Sequence, residues 1–300
     1  MIIEKLDEVR KEEFLNFCRK HRNELDDSFL YEEDLAEYEP NAENPTYIAL
    51  NPYGAIAGAA SLILDDYSRR GRKARFRILH AETDDPEVYR ELLQAVLQYT
   101  AGLDKLNIFV PTVNTGDMDK LTAAGFTVER YSYLLVRDEE VLPETSIPEG
   151  YELRPFQPGV DEAVWCEVRN AGFAKLKGSE TPATPDMVSS MIAGADYIEG
   201  GMLLLYHGGK AVGIVRGADD EYNDAPIMNI GPVALLPEYQ GKGLGRVLLR
   251  AALHLSRNKG YTRSILCVNA ENERAQALYT GEGFKQVEAA ACYKYDLTVQ

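Results

Sequence analysis

What this 300-residue sequence has little of narrows its reading first. No window approaches 18 consecutive apolar residues, so no transmembrane helix and no membrane partner are expected. The opening MIIEKLDEVRKEEF is a charged helical start without the apolar core of a signal peptide, which points to a soluble cytoplasmic protein. Only four cysteines are present, Cys18, Cys166, Cys267 and Cys292, and none has metal-ligand spacing, so buried free thiols are expected and no metal site. Positive charge is also scarce. Lys and Arg number 32 against 48 Asp and Glu, and the first 145 residues are the more acidic part, with 17 basic against 29 acidic side chains. A field of that sign argues against nucleic acid as a partner and suits a cationic substrate.

The length suits two domains of about 150 residues, and 45% apolar residues can build two cores. The most informative stretch is Asn229 to Arg246, NIGPVALLPEYQGKGLGR, an apolar strand running through Pro237 into a glycine-rich turn and then a helix. Gln240, Gly243 and Gly245 give the spacing Gln-x-x-Gly-x-Gly, and Leu244, Val247, Leu248, Ala251, Ala252 and Leu255 follow at helical intervals. The helix therefore starts inside the turn. Its first backbone NH groups, from Gly241 through Lys242, Gly243, Leu244 and Gly245 to Arg246, are free to converge on a phosphate, favoured by the helix dipole. Two other phosphate loops fail on spacing. Gly243 follows Gly241-Lys242 where a P-loop needs a hydroxyl, and Arg246 stands where the dinucleotide fingerprint needs its third glycine.

This stretch resembles motif A of the GCN5-related N-acetyltransferase (GNAT) superfamily, whose pattern is Gln/Arg-x-x-Gly-x-Gly/Ala after a strand ending in hydrophobic-x-Pro. Residues Val268 to Phe284, VNAENERAQALYTGEGF, resemble the superfamily's second signature at the right distance downstream. The resemblance implies an α/β fold with a mixed, mostly antiparallel sheet flanked by helices. It implies acetyl-CoA as cosubstrate and direct attack by a primary amine of a small molecule or peptide. Val233 and Leu235 would pair through their backbones with the acyl-pantetheine arm, with Pro232 marking a bulge, and Gln240 to Arg246 would hold the pyrophosphate. Asn272 would contact the coenzyme, although Asn is also a preferred helix cap. Tyr279, two turns further along the same face, would donate a proton to the leaving thiolate, or else be a core tyrosine. Glu199, Asp219, Asp220, Glu221 and Asp224 are candidates for the general base, and a solvated acidic loop is the competing reading of each.

The first half repeats the element order of the second. Gly102 and Gly260, and Gly125-Phe126 and Gly283-Phe284, lie 158 positions apart, and the hairpin glycines Gly58 and Gly213 lie 155 apart. Two tandem GNAT domains are therefore expected, residues 1–140 and 149–300, joined by the acidic, proline-containing segment 138–150. The 158 offset sets Glu82, Asp85, Glu87 and Leu121 opposite Gln240, Gly243, Gly245 and Tyr279, so the first domain is read as degenerate and unable to bind coenzyme A. Six basic side chains between Arg69 and Arg77 read as a solvated strand face or a phosphate contact. Residues 4–38 read as two acidic helices with a turn near His21 to Asp27. The tandem layout is similar to that of mycothiol synthase-like proteins, which leaves acetylation of an amino-sugar conjugate as an alternative. A non-catalytic acyl-CoA sensor is another.

Overall fold

The computed structural model describes residues 1–25 and 28–298, so Asp26 and Asp27 of the expected turn lie outside the described residues. The chain divides into two compact units. One comprises Met1–Ser132 together with Ala289–Gln300, and the other Tyr133–Glu288.

In the first unit the strands are β1 (Ile2–Lys5), β2 (Thr46–Leu50), β3 (Ile56–Ile63), β4 (Lys73–Ala81) and β5 (Lys105–Pro111), joined at the β5 edge by the later part of β12 (Lys285–Asp296). All are antiparallel neighbours except β4 and β5, which run parallel and are linked by helix α4 (Pro86–Leu97). Helix α4 buries Val88, Tyr89, Leu92, Leu93 and Val96 at helical spacing, each contributing about 1.5–3 kcal/mol of apolar burial. Helices α1 (Lys11–Lys20), α2 (Glu32–Ala36), α3 (Asp66–Arg70) and α5 (Thr115–Ala123) complete the unit, and strand β6 (Thr127–Arg137) begins in it. The edge strand β1 falls where a helix was expected to begin, since four residues are too few to show a period.

The basic run divides: Arg69, Arg70 and Arg72 are exposed, whereas its last arginines turn inward along β4. Arg77 is buried, donates to the Phe29 carbonyl at 2.9 Å and lies over the Tyr38 ring, while Arg75 lies over Phe29 and Phe109.

The second unit holds β6 from Tyr133 on, β7 (Tyr151–Pro155), β8 (Tyr197–His207), β9 (Lys210–Glu221), β10 (Pro226–Leu235) and β11 (Ser264–Asn269), in the sheet order β6-β11-β10-β9-β8-β7. Helices α6 (Glu162–Phe173), α7 (Pro185–Ala193), α8 (Leu244–Asn258) and α9 (Glu273–Gly281) flank it. Again one pair is parallel, β10 with β11, joined through α8, which buries Leu244, Leu248, Leu249, Ala252 and Leu253.

The unit boundaries depart from the expected 1–140 and 149–300. The division passes through β6 and β12, and residues 289–296 return to the first unit as the partner of β5. Residues 138–150 belong to the second unit, pinned along α8 by basic side chains that donate to backbone carbonyls: Arg250 to Glu144 at 2.7 Å, His254 to Pro143 at 2.9 Å and Arg257 to Glu140 at 3.0 Å. A proline-rich acidic composition does not distinguish a free linker from a strap whose carbonyls are used.

The repeat is real at the level of register, with one shift. Gly58 pairs with Ala81 as Gly213 pairs with Leu235, and Ala74 pairs with Leu106 as Met228 pairs with Ser264. The turn between strand and helix covers residues 82–85 in the first unit and 236–243 in the second. It is four residues shorter in the first unit, so Glu82 follows the strand directly and no residue there stands opposite Gln240. Asp85 and Gly243 do correspond, each as the N-cap of its helix.

Cys18, Cys166 and Cys292 are buried as expected, but Cys267 is exposed, because it faces away from the core that Leu266 and Val268 enter. No helix among the described residues is long and apolar enough to cross a membrane.

Candidate functional site

The site is assembled at the C-terminal end of β10. Its ladder with β9 slips between Ile230 and Val233, so Gly231 and Pro232 form the bulge that Pro232 suggested. Pairing with β11 covers Met228 and Asn229, and beyond them no ladder pair with β11 is present among the described residues. The two parallel strands therefore part, and the main chain from Gly231 to Leu235 has backbone groups open to an added strand. Val233 is half-buried and pairs with Val215, and Leu235 is buried and pairs with Gly213.

Past Leu235 a 3₁₀ turn, Pro237–Tyr239, leads to Gln240, whose side-chain amide donates to the Leu235 carbonyl at 3.1 Å and closes the loop. Gly243 is the N-cap of α8 at φ +80°, a conformation that favours glycine, and no side chain caps the helix. The Arg246 NH donates back to the Gly243 carbonyl at 3.0 Å, so it is the NH groups before it in the turn that are left to a ligand. Gly241, Lys242 and Gly243 are exposed, Gly245 is half-buried, Leu244 points into the core, and the Lys242 ammonium sits 5.1 Å over the Tyr239 ring. Arg246 is held by Glu282, Nε to Oε1 at 2.7 Å, and Arg250 binds the other oxygen of that buried carboxylate at 2.7 Å. Two guanidinium groups are thereby fixed on the first two turns of α8, which adds positive potential beside the uncapped turn.

Asn272 is the N-cap of α9, and its side-chain oxygen accepts from the Ala275 NH at 3.2 Å. Its capping function is thus present, and the amide nitrogen is the part left for a ligand. Tyr279 lies two turns along α9, packed on the core of the unit and against Phe284, with ring centroids 6.1 Å apart. Burial pushes its phenol up to about 12, and its hydroxyl carries no hydrogen bond among the described residues. It is a protonated donor without a partner.

The candidate bases are not brought to this end. Asp219, Asp220 and Glu221 pair with Met228, Ile227 and Pro226 at the start of β10, roughly 23 to 30 Å from Leu235 at the usual rise of a strand. Asp219 accepts from the Tyr261 hydroxyl at 2.6 Å and Asp220 from the Asn229 amide at 2.9 Å. Burial and that Asp219 contact push the Tyr261 phenol up to about 12. Glu199 and Asp224 are exposed.

Sequence reasoning missed the residues that set the cleft's other wall. Helix α6 crosses the end of β10 at Gly172, where an added Cβ would stand 2.9 Å from the Leu235 carbonyl oxygen. The segment after α6 is tied down by Asn170, which bonds both the NH and the carbonyl of Ala183 at 2.7 and 2.9 Å, by Arg169 to the Thr181 carbonyl, and by Asn269 at the end of β11 to the Lys177 carbonyl. A single glycine and three polar side chains in unpatterned sequence leave no periodic signal.

Comparison with known proteins agrees with this geometry. The model of the Acetyltransferase (GNAT) family matches residues 174–284. A mycothiol acetyltransferase of Pseudarthrobacter chlorophenolicus is 30% identical over 182 residues, which is 57% of this chain and 56% of that protein. One of Renibacterium salmoninarum is 27% identical over 248 residues, 80% of this chain and 72% of that one. The chain spans about half the length of several such relatives, 56% and 50% in two of them. A GCN5-related N-acetyltransferase from Sphaerobacter thermophilus superposes with a TM-score of 0.71 at 17% identity, covering 98% of this chain and 95% of that one. A tandem GNAT protein from the clavulanic acid biosynthesis pathway gives 0.68 at 15% identity, covering 98% of each. The fold is that of tandem GNAT proteins, and residues 174–284 are similar to the Acetyltransferase (GNAT) family.

Proposed function

We propose that the second unit is an acetyl-CoA-dependent N-acetyltransferase acting on a primary amine of a small molecule or peptide. The observation that carries this reading is the uncapped start of α8 at Gly243, beside the parting of β10 from β11. An anion fits there, because the turn has free NH groups, no side chain in the way and two fixed arginines behind it. In this reading Gln240 to Arg246 hold the pyrophosphate, the backbones of Val233 and Leu235 align the pantetheine arm, and the Asn272 amide nitrogen makes a further coenzyme contact. Bound acetyl-CoA supplies the thioester that the amine attacks.

Tyr279 stands at the leaving-group side of that reaction. With a value near 12 it keeps its proton at neutral pH, and it lies ~3.5 units above an ordinary thiol. Complete proton transfer from the phenol to a thiolate is therefore uphill, so the hydroxyl keeps its proton and hydrogen-bonds the departing sulfur, while the proton that completes the free thiol is the one the acceptor's nitrogen loses as the amide forms. Asp219 and Asp220 stand beside Met228 and Asn229, where β10 and β11 part, and a water held there carries the acceptor's first proton away. The names of the curated relatives favour a second reading of the acceptor, a mycothiol synthase-like acetylation of an amino-sugar conjugate. An acceptor screen with purified protein, following free thiol released from acetyl-CoA, tests both. Acceptor-dependent thiol release supports the enzyme, and coenzyme binding without release under any amine makes the unit an acyl-CoA sensor.

A further inference from the structure

In the first unit the end of β4 carries a group of side chains that none of this chemistry uses. His21 ends α1, Glu24 closes the 3₁₀ turn that follows, and His80 is the penultimate residue of β4. One ligand atom from each lies within 4.8 Å of the others. Both histidines are buried and their rings lie tilted to each other with centroids 4.4 Å apart. His21 Nδ1 and His80 Nε2 converge on the same oxygen, Glu24 Oε2, at 2.9 and 2.8 Å. The remaining nitrogen of each ring faces a carboxylate of its own: His21 Nε2 lies 2.9 Å from Glu82 Oε1, and His80 Nδ1 lies 3.7 Å from Asp117 Oδ1.

Two neutral histidines do not close this arrangement as a hydrogen-bond network. A neutral imidazole has one NH, so His21 satisfies both of its carboxylates only when protonated. The buried His80 Nδ1 has no hydrogen-bond partner among the described residues. We propose that His21 Nδ1, His80 Nε2 and Glu24 bind a zinc-class divalent cation, with Glu82 and Asp117 orienting the two rings from behind. A cation between the inward nitrogens and the Glu24 oxygen leaves each outward nitrogen as an NH aimed at its carboxylate, which answers both defects. This pairing of a ligating His with a carboxylate behind it is how metal sites fix tautomer and ring orientation.

The donors are two imidazoles and a carboxylate, which zinc accepts at about 2.0–2.2 Å. Ligand atoms of a tetrahedral site then stand roughly 3.3 Å apart, so the two nitrogen-to-Glu24 contacts need to open by about half an ångström. Glu24 is already held in place from behind, its backbone carbonyl accepting from Asn114 Nδ2 at 2.8 Å. The three open onto a cleft of about 570 Å³ that Glu82, Asn114 and Asp117 also line, leaving the fourth coordination position to water or an exogenous ligand. The sequence hid the site because His21-x-x-Glu24 and His80 lie far apart along the chain and are brought together only by β4.

The test is zinc titration of the chelator-treated full chain by calorimetry, with melting temperature measured alongside. One equivalent binds and raises the melting temperature. Glu24→Gln, an isosteric change at a half-exposed residue, removes that equivalent while the metal-free melting temperature stays near wild type. Glu82→Gln keeps the stoichiometry and weakens affinity by about 10- to 100-fold. Less than one equivalent in the wild type, or a full equivalent bound unchanged in Glu24→Gln, overturns the proposal.

Discussion

The two strand-to-helix turns of this chain begin from equivalent strand ends and finish differently. After Ala81 four residues suffice, and Asp85 caps α4 by accepting from the Glu87 NH at 3.0 Å. After Leu235 eight residues are spent, and the helix starts from a left-handed Gly243 with no side-chain cap. A helix start can satisfy its orphan NH groups from within or leave them for an anion, and a carboxylate at the N-cap also repels one. The difference between the halves is thus a choice about one helix end, made with four residues and one side chain.

The largest effect comes from imposing the first turn's chemistry on the second. Gly243→Asp adds a carboxylate where the phosphate approaches, so coenzyme A uptake, measured by calorimetry, falls from one equivalent per chain to none while the protein still melts cooperatively. Two equivalents in the wild type, or unchanged affinity in the folded variant, would erase the contrast between the units.

Next in size is Tyr279→Phe, since the first unit has Leu121 at the corresponding place and needs no donor there. One hydrogen-bond donor to a developing anion is worth roughly 10²- to 10³-fold, so kcat falls by about that factor while coenzyme affinity changes little. Turnover within a few fold of wild type makes the phenol part of the core. The pH dependence sharpens this. A phenol raised from 10 to about 12 stays protonated well past pH 10, so wild-type turnover shows no alkaline fall centred at pH 10. The same raised value contributes to folding stability fully below pH 10 and is lost as pH rises toward 12, a loss that Tyr279→Phe abolishes in alkaline melting curves.

The smallest effect is at Asp85. Replacing this cap with alanine costs about 1 kcal/mol of stability, read as a lowered melting temperature, without creating a coenzyme site. A gain of binding there means that the cap alone, and not the short turn, keeps the first unit silent.

Much of this was legible in the chain. Gln240, Gly243 and Gly245 stand in a fixed spacing because backbone geometry demands it, and the period of Leu244, Leu248 and Leu255 marks the helix they open. The repeat was visible through Gly58, Gly213, Gly102 and Gly260, since turn glycines answer to local conformation. What it could not reveal is the shift from a 158 to a 154 offset at Ala81, because a deletion in a polar loop disturbs no hydrophobic period. Gly172, Asn170 and the cluster of His21, Glu24 and His80 were likewise silent, for their meaning lies in which distant backbone they approach.

The return of residues 289–296 to the edge of β5 has a consequence for how the protein is made. The first unit's sheet waits for a strand that the ribosome delivers after the whole of the second unit. At about 5–20 residues per second, that is roughly 8 to 30 seconds after Ser132 has been added. During that interval the β5 edge is exposed on the nascent chain, an unpaired template of the kind that pairs with other chains. The second unit is itself complete only at Glu288, so both units receive their last strand residues within about two seconds of each other.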